Sequence, residues 1–191
     1  MALVDVPKTA PTLALALALL LVVVARTAAL DGENLLAPPP DGFKLGYHTA
    51  DDSETMAEYV PIAETVDDWS RMVTVQVFHK LKSADPDVFA ANLAKGWRSA
   101  CAGGDARKIT GGVENGYAYV LWAFKCLLNP ETGKPENMWL KATSGADSLY
   151  SVQYAYRSAT KQELAATAMN NLNAVSVCHK RHNERPCPAG I

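Results

Sequence analysis

The sequence lacks a membrane-length apolar run, lacks a strong charge of either sign, and lacks the compact motifs that announce common chemistries. Its longest uncharged apolar stretch is the 13 residues from Leu13 to Ala25, whereas a spanning helix takes about 20. Lys and Arg total 18 against 20 Asp and Glu, a net charge of −2, so a generally basic nucleic-acid binder is excluded. No GxSxG, HExxH or twin CxxC string occurs, which removes the standard nucleophile-elbow, zincin and zinc-ribbon readings. "NPETGK" at Asn129 to Lys134 lacks the first glycine of a phosphate-binding loop, and "GGVENG" at Gly111 to Gly116 does not open a helix after a strand. Both read as turn chemistry.

What is present is an ordinary globular composition, 49% apolar and 20% charged. Lys8 followed by the apolar run has the anatomy of an export signal. Residues 1–29 therefore read as a signal peptide, cleaved after Ala25 with Val23 at position −3, or after Ala29 with Thr27 there. That places the protein in the periplasm or outside the cell, with no integral membrane span in the mature chain. In such a compartment the four cysteines form a disulfide framework. Sequential pairing costs the least topology, so Cys101 is expected to join Cys126, and Cys178 to join Cys187.

Residues 30–42, with Pro38, Pro39 and Pro40 in a row, read as an extended leader. A single domain over 43–177 follows, and a Cys/His basic tail over 178–191. Strands are expected at Phe43 to His48, Thr55 to Val60, Met72 to Phe78, Tyr117 to Leu128, Met138 to Thr143 and Leu149 to Arg157. Thr65 to Ser70 resembles a capped helical turn. Asp85 as N-cap and Pro86 at the first helical position open a helix that runs to Cys101. A second helix opens at Thr160, with Glu163 three residues on. The fold class is α+β: a mainly antiparallel six-stranded sheet in the order β-β-β-α-β-β-β-α, with both helices on one face.

Candidate sites are sparse. Cys178, His179, His182 and Cys187 suit zinc by type but match no standard spacing, and the cysteines pair more readily. His48 and His79 end two strands and would meet if those strands were neighbours. A face reading is more specific. With Val73, Val75 and Val77 turned to the core beside Tyr150, Val152, Tyr154 and Tyr156, the opposite face carries Thr74, Gln76, Ser151, Gln153 and Arg157. Placing Met138, Leu140 and Ala142 in the core turns Trp139, Lys141 and Thr143 outward onto that same polar face. Trp139, Lys141, Gln76, Gln153 and Arg157 thus form a candidate binding surface anchored by an indole.

The strings "EYVP" at Glu58 to Pro61, "DDWSRMVTVQVF" at Asp67 to Phe78, "ENGY" at Glu114 to Tyr117 and "TGKPE" at Thr132 to Glu136 resemble uncharacterised exported proteins of Gram-negative bacteria. The strand order looks like the PsbP-like α/β sandwich. The resemblance implies a periplasmic setting and carries no activity. The expectation is an exported binding or accessory protein without catalytic activity, cofactor or metal, whose partner is an envelope protein or a small ligand. Two other classes stay open: a small hydrolase-like enzyme with acid/base groups converging from His48, His79 and the Asp51, Asp52, Asp67 and Asp68 turns, and an envelope structural or assembly partner.

Overall fold

The computed structural model describes residues 32–101, 103–159 and 161–188. The apolar run and both expected cleavage sites lie outside them. The strands are β1 (Glu33–Leu36), β2 (Phe43–Ala50), β3 (Glu54–Pro61), β4 (Arg71–Phe78), β5 (Asp105–Glu114), β6 (Tyr117–Cys126), β7 (Glu136–Ser144), β8 (Leu149–Tyr156) and β9 (Ser176–His179). Helix α1 (Pro86–Ala100) separates β4 from β5, and α2 (Gln162–Asn173) separates β8 from β9.

Seven strands make one antiparallel sheet in the order β2-β3-β4-β8-β7-β6-β5, and β1 pairs with β9 in a second, two-stranded sheet. The α+β class holds, with one more strand in the main sheet than expected. The extra strand is β5, and its sequence conceals it: it is glycine-rich, charged and exposed along most of its length, as befits an edge. Gly111 and Gly112 belong to this strand, so only Asn115 and Gly116 of the "GGVENG" string form a turn. Both take positive φ, 48° and 76°, as a two-residue hairpin loop joining β5 to β6 requires.

The two helices cover opposite faces, which corrects the one-face arrangement. Ala90 and Ala94 of α1 pack on Val120, Phe124, Met138 and Leu140. Ala168 and Leu172 of α2 pack with Leu121, Trp139, Tyr154 and Tyr156. The reason lies in β6, which is apolar on both faces and needs cover on both, and in β7 beside it, which is buried on both. α1 starts as its sequence dictates, with the Asp85 carboxylate accepting from the backbone N–H of Asp87 at 2.8 Å. Thr160 lies outside the described residues, and α2 begins after Lys161 without a side-chain cap.

Two further boundaries differ. Part of the segment read as a leader is strand β1, which pairs Leu35 with Val177; Leu35 and, just after the strand, Ala37 pack against the α2 core. The tail accordingly begins inside a strand, because His179 belongs to β9. Thr65 to Ser70 is a non-helical turn, in which the Thr65 hydroxyl accepts from the Asp68 N–H at 3.3 Å. The disulfides join Cys101 to Cys126 and Cys178 to Cys187, with Cα atoms 5.8 and 4.8 Å apart. The first ties the end of α1 to β6; the second closes the loop after β9. Among the described residues no helix is long and apolar enough to cross a membrane.

Candidate functional site

The five residues of the expected binding surface do not come together. Register decides this: Trp139 lies opposite Tyr154, and Lys141 opposite Val152, whereas Gln153 lies opposite Leu140 on one side and Thr74 on the other. Since successive residues of a strand point to opposite faces, Trp139 and Lys141 belong to the α2 face, and Gln76, Gln153 and Arg157 to the α1 face. Neither Trp139 nor Lys141 stands outward; they are 7% and 3% exposed.

On the α1 face the polar groups satisfy one another. The Gln153 amide donates to the Gln76 carbonyl oxygen at 2.7 Å, and the Gln76 amide donates to the Glu54 carboxylate at 2.7 Å. Arg157 is held by a cation–π contact over the Trp69 ring at 4.0 Å and by donation to the Asp67 carbonyl at 3.1 Å. Its role there is to fasten the 62–70 turn to the end of β8.

On the α2 face Lys141 is likewise committed. Its ammonium donates to Glu114 at 2.5 Å and to the Val175 carbonyl at 2.6 Å, and it stands over the Tyr119 ring at 4.9 Å. A buried charge needs such partners. This lysine therefore joins the end of β5 to the α2–β9 connection.

Trp139 has different surroundings. α2 lies over β7 and β8, and among the described residues no helix lies over the strip of the same face formed by β5 and β6. There the cross-strand row runs Arg107, Ala123, Trp139, Tyr154. Alanine at position 123 leaves a hollow of about 420 Å³, walled by Ala165 of α2 and by Arg107 and Ile109 of β5, with Lys125 and Asp105 at its end. A bulge between Lys108 and Thr110 turns Ile109 toward the opening, where it is 43% exposed. The volume falls within the usual range for small-ligand sites, roughly 300–1,000 Å³.

The charged groups around this hollow make no ion pairs among the described residues. Among the described residues the ion pairs are Lys108–Asp87, Lys134–Asp68, Lys141–Glu114 and Arg157–Glu136. Arg107, Lys125 and Asp105 take part in none of them. No hydrogen bond from the Trp139 indole N–H is found among the described residues either. The amide of Asn137, next to Trp139 along β7, is occupied by donation to the Ser158 carbonyl at 2.6 Å.

Sequence reasoning missed Arg107, Ile109, Ala123, Lys125 and Ala165. The signal for the first two was the Asn115–Gly116 pair, a strong hairpin marker, which implies a strand running back from Glu114.

The histidines form no acid/base constellation among the described residues. β3 lies between β2, which carries His48, and β4, which ends one residue before His79, and His79 pairs with the Thr55 hydroxyl at 2.9 Å. His179 and His182 have ring centroids 4.2 Å apart, and the His179 Nδ1 accepts from the Arg181 N–H at 3.1 Å. No group of three potential metal ligands is found among the described residues.

Comparison with known proteins places this geometry beside two solved structures. One is the solution structure of cyanobacterial PsbP (CyanoP) from Synechocystis sp. PCC 6803, at 11% identity and a TM-score of 0.48, covering 79% of this chain and 95% of that one. The other is the crystal structure of LpqN, described as involved in cell envelope biogenesis of Mycobacterium tuberculosis, at 9% identity and a TM-score of 0.39, covering 79% and 87%. No protein-family model matches the chain, and no curated protein matches it.

Proposed function

We propose that this is an exported binding protein without catalytic activity, and that its ligand seat is the hollow between α2 and the β5–β6 hairpin. One observation carries the reading: Ala123 and Trp139 line a hollow that opens beside α2, while among the described residues Arg107, Lys125 and Asp105 around it take part in no ion pair. The two disulfides and the Leu13 to Ala25 run support export. Disulfides persist in oxidising compartments, and an apolar run of this length suits a signal better than an anchor.

Two experiments test the reading. Intact mass of the protein recovered from an expressing cell should show loss of residues 1–25 or 1–29; the full-length chain in the membrane fraction would contradict export. Titration with a neutral ring probe, 2-naphthamide, should shift the backbone amides of Ala123, Trp139 and Ala165 together, and Ala123→Leu, which fills the hollow, should abolish those shifts. Shifts elsewhere, or none at millimolar probe, would remove the hollow as the seat.

A further inference from the structure

We infer that the ligand class of the hollow is a small apolar acid, held with its ring over Trp139 and Ala123 and its carboxylate against Arg107 and Lys125. The inference rests on reading the hollow as the seat and adds the chemistry that the seat selects.

The two cations are placed by strand geometry. Arg107 lies opposite Ala123 on β5 and β6, and Lys125 follows Ala123 by two residues on the same face. They are therefore diagonal neighbours, whose side chains reach one another's space. Both are exposed, yet among the described residues neither has a carboxylate partner, whereas Lys108, next along β5 and on the other face, pairs with Asp87 at 2.6 Å. Asp105 lies opposite Lys125 but makes no ion pair with it among the described residues. The three charged groups sum to one positive charge at the mouth.

The donors outnumber the acceptors as well. Arg107, Lys125 and the Trp139 indole can only donate, and Asp105 is the one carboxylate. A guanidinium presents a planar fork that matches a carboxylate in two parallel hydrogen bonds. The floor selects the other half of the ligand. Trp139, Ala123, Ile109 and Ala165 offer apolar contact, so a hydrophilic anion would leave that surface wet and an uncharged hydrocarbon would leave the donors unused. A ligand with a ring at one end and a carboxylate at the other satisfies both.

The test compares three probes with one ring system: 2-naphthoate, 2-naphthamide and 2-naphthylmethylammonium, each titrated at low salt and followed by amide shifts at Ala123, Trp139 and Ala165. Naphthoate is expected to bind at least about 10-fold tighter than the amide, with the ammonium weakest. Arg107→Gln should reduce the naphthoate-to-amide ratio to within about twofold of unity, and Lys125→Gln should reduce it by a smaller factor. Both sites are exposed, and an unchanged Tm verifies that each variant is folded. Equal affinity for naphthoate and naphthamide would overturn the assignment, and so would preference for the ammonium, which would make Asp105 the dominant group. In either case the hollow remains a seat. Failure of all three probes to shift these amides would instead remove the seat itself.

Discussion

Two patches of sheet beside the helices, one on each face, are built in opposite ways. On the α1 face, toward β3 and β4, the strands present Glu54, Gln76 and Gln153, joined in a chain of side-chain hydrogen bonds. That patch meets its own polar needs. On the α2 face, beside the helix, Ala123 of β6 and Trp139 of β7 line the hollow, and the nearby Arg107, Lys125 and Asp105 have no ion-pair partner among the described residues. The lesson is that exposure alone does not mark a site. Unspent apolar area beside unspent donors does, and only one of the two patches has both.

The contrast between covered and uncovered sheet predicts unequal costs of substitution. Leu172, on the buried face of α2, is at 0% exposure, so Leu172→Ala should lower stability by about 2–5 kcal/mol through lost transfer free energy and a cavity. Ala123→Leu adds volume to an open hollow and should cost less than about 1 kcal/mol. Denaturant unfolding of the two variants measures both. Comparable losses would mean that the hollow is packed and not open.

Removing the disulfide that closes the loop after β9 should come next in size. Cys178 and Cys187 are nine residues apart, and in the chain-entropy model a loop of this length contributes roughly 2.7 kcal/mol. The double Ser variant should lose about that much, with the loss of hydrogen-exchange protection concentrated in β1 and β9. Protection lost evenly across the main sheet would show that the small sheet is not a separable unit.

Lys141→Met sharpens the distinction between a buried polar group that is spent and one that is free. The substitution leaves the buried Val175 carbonyl without its donor and should cost about 1–3 kcal/mol. Because Lys141 holds structure, its loss is expected to lower Tm while leaving the relative affinities of the three naphthyl probes unaltered. A changed order of affinities would make Lys141 part of the seat.

The smallest effect is expected at Asp51. Its carboxylate accepts from the Ser53 hydroxyl and from the N–H groups of Ser53 and Glu54, bonds that hold it down at about 2 from an ordinary 3.8. A depressed folded-state value contributes stability above the unfolded value, and that contribution is lost as pH falls from about 4 through about 2. Asp51→Asn should therefore flatten the dependence of Tm on pH in that window and nowhere else. An identical slope in the two proteins would show that the turn carries no linkage.

Much of the architecture was legible because it rests on local rules. The alternation of Val73, Val75 and Val77 gave β4 and its faces. Asp85 followed by Pro86 gave the start of α1. What could not be read was relational. Period two says which residues of a strand share a face, but not which distant helix covers that face. Only the pairing of Trp139 with Tyr154 puts the indole on the α2 side, away from Gln76 and Gln153. β5 escaped because an exposed edge strand with two glycines has no apolar alternation to betray it, and with it went Arg107 and Ile109. Trp139 could be singled out from the sequence as an unusual residue, but the hollow it floors depends on a strand, a register and a helix position that no local pattern encodes.

The most direct test of the account is to locate a bound ring. Intermolecular NOEs between 2-naphthoate and the protein should connect the naphthyl protons to the Trp139 indole, the Ala123 methyl and the Ala165 methyl. NOEs to Trp97, Ala100 or Pro130, which line a separate cavity beside the Cys101–Cys126 bridge, would contradict the claim that the uncovered strip beside α2 is where this domain binds.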